Sequence, residues 1–276
     1  MPEASNVKLI CMDMDGTLLA NGGIPEINIR ALRECHARGI RLALVSGRNF
    51  RFLISNAAEI CDEIAIISAN GARIDLQPGE KCIYEGVFEE GYAREVCETL
   101  YETGVYFEIY TSTKNYVFNR ERISKIHKHS LEMYLKNRQI LGLEFPDEPS
   151  QAEYGGIYKF VAFSDESGMM DKVKRALDDG HIEHSSSWWD NCEVMAKGVD
   201  KGSAVKILCA HFGIDPQEAM AFGDHTNDIA LLKAVGYPVA MGNAVDETKA
   251  VAKYIAPANT EGGVGRLIYD KVLGYK

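Results

Sequence analysis

Two aspartates one residue apart close the first apolar run of the chain: Val7 to Met12 leads directly into Asp13-Met14-Asp15-Gly16-Thr17. If that run is a buried strand, both carboxylates stand at its carboxyl end, where open α/β sheets bind their ligands. Gly16 lets the backbone turn at no steric cost and aim N–H groups at the site. Thr17 carries a hydroxyl able to tie the turn. Alone, the segment also reads as an Asp-Gly turn with solvated acids. Other segments accompany it. A second apolar run, Ile40 to Val45, ends in Ser46-Gly47-Arg48, and a later one, Ala219 to Phe222, ends in Gly223-Asp224-His225-Thr226-Asn227-Asp228. Lys201 lies just before a helical pattern, in Asp200-Lys201-Gly202-Ser203.

Brought to one edge, these residues supply three or four carboxylates, a hydroxyl, an amide and an ammonium group. Crowded carboxylates repel one another unless a cation compensates them, and an all-oxygen donor set selects a hard ion such as Mg²⁺. Mg²⁺ held by few protein carboxylates shares its shell with water and substrate phosphate. The lysine, hydroxyl and amide suit the remaining phosphoryl oxygens, which is the equipment of phosphoryl transfer. A carboxylate can itself attack phosphorus, and a neighbouring acid can donate and then accept a proton.

The elements that must position these groups alternate. The pattern from Glu26 to Arg38 buries Ile27, Ala31, Leu32 and Cys35 on one helical face, and Phe50, Leu53, Ile54, Ala57 and Ala58 form a second stripe. Ile64 to Ile67 reads as a strand. Later come a helix through Ala204, Val205 and Leu208, the strand Ala219 to Phe222, a helix through Ile229 and Leu232, and a strand at Pro238 to Met241. Strand, helix, strand implies parallel pairing through right-handed crossovers, with helices on both faces. From about Ile83 to Trp189 the aromatics thicken and strand-like runs (Val105 to Tyr110, Tyr116 to Phe118, Gly156 to Phe163) mix with helical ones at Glu89 to Tyr101 and Glu121 to Lys136. This reads as an inserted α+β domain. The expected organisation is an α/β domain over 1–82 and 190–276, interrupted by the insertion over 83–189.

Composition narrows the partners. Thirty Lys and Arg against forty Asp and Glu give a net charge of −10, which opposes any protein that holds nucleic acid by neutralising phosphates. At 46% hydrophobic and 25% charged residues the chain is a folding one, not a disordered one. Its 7 cysteines are an odd number with no CxxC pair, so neither a disulfide framework nor a zinc ribbon is expected. No apolar run approaches a membrane span and the N-terminus lacks a signal-peptide pattern, so the expectation is a cytoplasmic protein without membrane partners.

In order and spacing the motifs strongly resemble those of the haloacid dehalogenase superfamily, specifically its Cof-type sugar-phosphatase branch. Asp13–Thr17 resembles the first motif, Ser46-Gly47-Arg48 the second, Lys201 the third and Gly223–Asp228 the fourth, and the resemblance spans essentially the whole chain. Ser68-Ala69-Asn70-Gly71-Ala72, Glu193 to Gly202 and Val239 to Ala244 match as supporting stretches. The resemblance implies a Rossmann-like core with an α/β cap that sets specificity. It implies Asp13 as nucleophile and Asp15 as general acid/base. Ser46 with Gly47, Lys201 and Asn227 would hold the phosphoryl group. Mg²⁺ would rest on Asp13, the backbone carbonyl of Asp15 and Asp224, with Asp228 supporting the metal or Lys201. Three departures stand out: His225 where a small residue is frequent, Ala196 where Pro is frequent, and Asp200, which adds a negative charge beside Lys201.

The expected function is a Mg²⁺-dependent phosphomonoester hydrolase of small phosphorylated metabolites, sugar phosphates first, acting through an aspartyl phosphate. Two alternatives stay open: a phosphomutase or phosphotransferase using the same intermediate, and a non-catalytic phosphate-binding regulator. Lys197 is a weaker rival for the role of Lys201. His181 and His184 read as surface residues before they read as metal ligands, and Trp188 and Trp189 suit either ring stacking or packing. The basic stretch with Arg120, Arg122, Lys125, Lys128, Lys136 and Arg138 reads as a solvated face.

Overall fold

A computed structural model describes residues 4, 6–78, 81–123, 132, 135, 136, 142–178, 180–187 and 189–275. Fourteen strands are seen among them: β1 (Leu9–Met12), β2 (Arg41–Val45), β3 (Ile64–Ser68), β4 (Arg73–Asp75), β5 (Cys82–Glu85), β6 (Tyr106–Thr111), β7 (Asn115–Phe118), β8 (Leu143–Glu144), β9 (Ile157–Phe163), β10 (Ile182–Ser185), β11 (Asn191–Ala196), β12 (Ala219–Gly223), β13 (Tyr237–Ala240) and β14 (Tyr254–Ile255). The chain divides into two compact units, Met1–Tyr84 with Asp200–Lys276, and Glu85–Val199.

The first unit is built on an 8-stranded sheet in the order β14-β13-β12-β1-β2-β3-β4-β5. Every pairing from β14 to β3 is parallel, and β4 turns back antiparallel on β3. The central strands are buried on both faces, which is why they read as unbroken apolar runs. Ile10, Met12, Leu42, Leu44, Ile64 and Phe222 pack on one side with the helices Glu26–Ala37 and Phe50–Ile60. Leu9, Cys11, Ala43, Val45, Ala219 and Ala221 pack on the other with the helix Lys201–Phe212. Two separately filled faces hold the strands in one register. Met12 therefore lies beside Leu44 and Phe222, and the residues that follow β1, β2 and β12 emerge at one edge.

The second unit carries a 6-stranded sheet in the order β10-β11-β9-β6-β7-β8. Here alternation is strict. Phe107, Ile109, Phe160, Ala162, Cys192 and Val194 face the helices Glu90–Thr103 and Met169–Leu177, which bring Val96, Leu100, Met170 and Val173 to that layer. The opposite face carries Tyr106, Glu108 and Tyr110 of β6, Lys159 of β9 and Glu193 of β11, all buried. One expectation needs correction. The segment 190–199, assigned from sequence to the core, belongs to this unit, because β11 is hydrogen-bonded between β9 and β10. The run Asn191–Ala196 reads as a strand in either unit, and only its partners decide. The expected helix from Glu121 to Lys136 lies largely outside the described residues, although Arg120–Arg122 form a short helical turn. His184 stands on β10 and His181 just before it, both exposed, so no helical spacing joins them.

Burial pushes the Glu108 carboxyl from its usual 4.5 up to about 7, against the pull of the Tyr106 hydroxyl and the Lys159 charge. A carboxyl raised by folding stabilises the native state below its unfolded value, and that contribution is lost as pH rises through the native one. At about 1.4 kcal/mol per pH unit the span is worth about 3 kcal/mol. Glu108→Gln, which keeps the neutral form, should gain on wild type by up to that amount between pH 4.5 and 8. Urea unfolding of both proteins across that range measures it, and a constant difference would refute it.

Candidate active site

Asp13 follows β1 and is buried, its backbone N–H donating to the carbonyl of Phe222 at 3.1 Å. The chain then makes one turn, in which the N–H of Leu18 donates to the Asp13 carbonyl at 3.2 Å. Gly16 holds φ at +78°, and a Cβ there would overlap the Asp224 carboxylate. The Thr17 hydroxyl donates to Asp224 Oδ1 at 2.7 Å, so it ties two strand ends together and not merely its own turn. Asn243 reaches back from beyond β13 to donate to the Gly16 carbonyl at 2.8 Å.

Lys201 opens its helix behind the cap formed by Asp200, whose carboxylate accepts from the Ser203 N–H at 2.7 Å while the Ser203 hydroxyl accepts from the Asp200 N–H at 3.0 Å. The negative charge that Asp200 adds beside Lys201 is thus spent on the helix start. Gly71, at φ +104°, lies against the Asp200 carbonyl, where a Cβ would overlap it. So held, the fully buried Lys201 ammonium donates to Asp13 Oδ1 and Asp228 Oδ1, each at 2.6 Å. The other Asp228 oxygen accepts from the backbone N–H groups of Asp224 and His225 at 2.9 and 3.2 Å. Asp228 thereby fixes both the lysine and the loop that carries Asp224. His225 contributes its backbone to that arrangement. Lys197 instead donates to the Gly180 carbonyl at 2.7 Å, within the second unit.

Burial works against charge on Lys201, but Asp13 and Asp228 outweigh it and raise its pKa above the usual lysine value. Burial, and then the Asp228 charge, raise Asp13 well above the ordinary carboxylate range, although Lys201 pulls it down. Asp224 is pushed up to about 6, first by burial, with the Thr17 hydrogen bond opposing and the Asp228 charge adding. Carboxylate oxygens of Asp13, Asp224 and Asp228 lie within 4.8 Å of one another. An excess of crowded, hard oxygen donors over one ammonium is the donor set a divalent cation such as Mg²⁺ fits. With both Asp228 oxygens engaged, Asp13 and Asp224 are the carboxylates suited to it.

Ser46 is buried after β2, its hydroxyl accepting from the Arg48 N–H at 3.2 Å and its carbonyl from the Asn70 N–H at 3.0 Å. Gly47 beside it is half-buried, as is Asn227 in the turn Thr226–Asp228. The Asp15 side chain turns away from Asp13's lysine to meet Arg48, whose Nε and Nη2 donate to its two oxygens at 2.7 and 2.5 Å. Sequence reasoning gave Arg48 no role, although it follows Ser46-Gly47 at the same strand end. The pair is largely exposed, with side-chain exposures of 36% and 61%, so its worth to stability is small, about 0–1 kcal/mol. Its geometry is another matter, since a bidentate fork fixes the carboxylate plane. Arg48→Lys should leave thermal unfolding within about a degree yet lower turnover about 10–100-fold, the scale of a misplaced reacting group. An unfolding scan and a turnover assay on one preparation separate the two effects.

Three comparisons bear on this arrangement. A family model described as haloacid dehalogenase-like hydrolase matches residues 10–268. The 5-amino-6-(5-phospho-D-ribitylamino)uracil phosphatase YbjI of Escherichia coli (strain K12) is 32% identical over 98% of this chain and 98% of its own, and the similarly named YcsE of Bacillus subtilis (strain 168) is 28% identical over 98% of each. The crystal structure of a haloacid dehalogenase-like hydrolase from Bacteroides thetaiotaomicron superimposes with a TM-score of 0.81 at 26% identity, covering 96% of this chain and 99% of that one.

Proposed function

The chain belongs to the haloacid dehalogenase-like hydrolases and is a phosphatase of that kind, and from that premise we propose that it hydrolyses small phosphomonoesters, sugar phosphates first, through an aspartyl phosphate on Asp13 with Mg²⁺ as cofactor. The observation that carries this reading is the buried Lys201 ammonium, bonded to both Asp13 and Asp228 beside Asp224 at the carboxyl edge of the parallel strands. Asp13 and Asp224, with the Asp15 carbonyl, would hold the cation, which supplies charge neutralisation on the phosphoryl oxygens.

Asp13 attacks phosphorus through a carboxylate oxygen, and the bond from phosphorus to the ester oxygen breaks. Lys201 stays charged and holds one Asp13 oxygen, which leaves the other to attack. Asp15, held by Arg48 in its ionised form, takes a proton from solvent as one oxygen leaves the guanidinium, gives that proton to the departing alkoxide, and then takes one from the water that cleaves the acyl phosphate. Ser46, the Gly47 backbone and Asn227 hold the phosphoryl oxygens. The names of YbjI and YcsE, which specify a phosphate on a ribityl chain, support a small-metabolite substrate. The 7 cysteines, all free, suit a reducing cytoplasm. Among the described residues no helix is long and apolar enough to cross a membrane.

Machinery that grips the phosphoryl group cannot tell one leaving group from another, so the second unit is the proposed specificity domain. A panel of phosphorylated metabolites assayed with Mg²⁺ tests the activity. Exchanging the residues 85–199 for the corresponding unit of a relative with another preference should move the preference and leave the Mg²⁺ requirement in place. Preference that stayed with the first unit, or a folded phosphoprotein hydrolysed faster than every small ester, would overturn this assignment.

A further inference from the structure

The stretch Val239 to Ala244 matches a supporting motif, yet no step of the proposed chemistry uses it. Its asparagine stands against the turn that follows Asp13 and carries Asp15. Asn243 Nδ2 donates to the Gly16 carbonyl at 2.8 Å, and Asn243 Oδ1 accepts from the Asn259 N–H at 2.9 Å. The Asn259 side chain in turn donates to the Leu19 carbonyl at 2.8 Å, just past the turn Met14–Leu18. The two asparagines share a firm base. The Ala256 N–H donates to the Ala240 carbonyl at 2.9 Å, and a Cβ at Gly242 would stand 2.9 Å from the Ala258 nitrogen. The segments after β13 and β14 therefore meet with no room for a side chain between them.

Three consecutive residues of that turn are thus tied to three different strand ends. Asp15 meets Arg48 after β2, Gly16 meets Asn243 after β13, and Thr17 meets Asp224 after β12. The outer two ties each hold a carboxylate that the proposed mechanism uses, whereas the middle one holds a main-chain carbonyl. It falls where the turn needs it. Gly16 stands at φ +78° and ψ −6°, and a glycine is free to leave that conformation, so the turn's own sterics do not set its shape. Stability does not explain the bond, because Asn243 is exposed and water satisfies an exposed carbonyl almost as well as an amide does. Water cannot hold that carbonyl in place against β13, whereas a side chain bonded at both ends can.

We propose that Asn243 is a positioning residue for Asp15: its grip on the Gly16 carbonyl fixes where the Asp15 carbonyl and carboxylate stand, so that it governs both Mg²⁺ affinity and kcat although it takes no part in the chemistry itself. This rests on the phosphatase reading above and adds to it a residue that the reading does not use. An acid/base group must stand within hydrogen-bond reach of the oxygen it serves, and a main-chain ligand has no rotamer with which to correct a misplaced backbone. A shift at Gly16 passes directly into the preceding peptide, and a misplacement of about 1 Å costs about 100-fold in rate. The two asparagines guard different points. Asn259 holds Leu19, past the turn, while Asn243 holds the residue next to Asp15.

Three measurements on the full-length wild type and three variants test this: calorimetric Mg²⁺ titration of the resting protein, kinetics with p-nitrophenyl phosphate at saturating Mg²⁺, and thermal unfolding. Asn243→Ala should weaken Mg²⁺ binding about tenfold and lower kcat about 10–100-fold, with KM within about threefold of wild type. Its unfolding temperature should stay within a few degrees. Asn259→Ala removes the tie to Leu19 but leaves the main-chain N–H on Asn243, so Mg²⁺ affinity and kcat should remain within about threefold of wild type. Asn243→Asp keeps the size and the acceptor toward Asn259 and loses the donor toward Gly16, so kcat should fall at least as far as in Asn243→Ala. A merely structural role would lower the unfolding temperature of Asn243→Ala and Asn259→Ala alike and leave Mg²⁺ affinity and kcat in place. That result, equal losses of Mg²⁺ affinity in those two variants, or full turnover by Asn243→Asp, overturns the assignment. If wild type binds Mg²⁺ but hydrolyses no p-nitrophenyl phosphate, the phosphatase reading falls, and the Mg²⁺ titrations still decide the role of Asn243.

Discussion

Asp13→Asn should abolish turnover, by at least about 10⁴-fold, while the protein folds as before. The loss has the scale of removing a nucleophile from a set of residues that act as one. An amide is nearly the same size as a carboxylate, and its oxygen can still accept from Lys201 Nζ in place of Asp13 Oδ1. What it lacks is the anionic oxygen that, in the proposed mechanism, attacks phosphorus. The fold should hold, because Lys201 Nζ keeps Asp228 Oδ1 at 2.6 Å as well as the amide oxygen. Without metal the variant should therefore melt within a few degrees of wild type at pH 7. Rapid hydrolysis by a well-folded Asp13→Asn protein would falsify the covalent mechanism.

The convergence of Asp13, Ser46 and Asp224 was legible in the sequence because parallel topology leaves little freedom. Once β1, β2 and β12 are read as neighbouring buried strands, their carboxyl ends must share an edge. Lys201 was legible because it stands just before a helical pattern, whereas Asp200, read from the sequence as an added negative charge, proves to be the cap of that helix. What the sequence could not convey was which side chains meet once they arrive. Arg48 could have pointed at phosphate, solvent or either acid, and only the turn after Gly47 aims its fork at Asp15. Thr17 might have closed its own turn and instead bonds Asp224 on another strand end. The strand Asn191–Ala196 was assigned to the wrong unit because local periodicity names an element without naming its partner. The polar row on the second sheet was hidden for the opposite reason. Glu108 and Lys159 alternate with apolar neighbours as residues on a solvated face would, and burial of both faces is a tertiary fact. Trp188 lies outside the described residues, and Trp189 is exposed.

Removal of Asp224 should be nearly as damaging as removal of Asp13, but by a different route. Asp224 stands on a loop whose backbone is held by Asp228 and whose side chain is held by Thr17, so Asp224→Ala cuts one donor without loosening the strand end. Supporting partners around metal ligands are themselves worth about 10–100-fold in affinity, so loss of the ligand should weaken Mg²⁺ binding at least about 100-fold. Calorimetric titration of the resting protein measures that directly, free of any assumption about substrate. The pH dependence supplies a second signature. Because burial pushes Asp224 up to about 6, the cation must displace a proton below that pH and need not above it. Mg²⁺ affinity in wild type should therefore rise between pH 5 and 7, with proton release that fades over the same interval, and Asp224→Ala should flatten the rise. Chelation should stop turnover, and Mg²⁺ should restore it where Ca²⁺, a larger ion content with irregular shells, should not. Were turnover to survive exhaustive chelation, or Mg²⁺ affinity to be the same in Asp224→Ala as in wild type, the crowding of Asp13, Asp224 and Asp228 would need a reason other than a metal, and the Lys201 ammonium would be left to offset them.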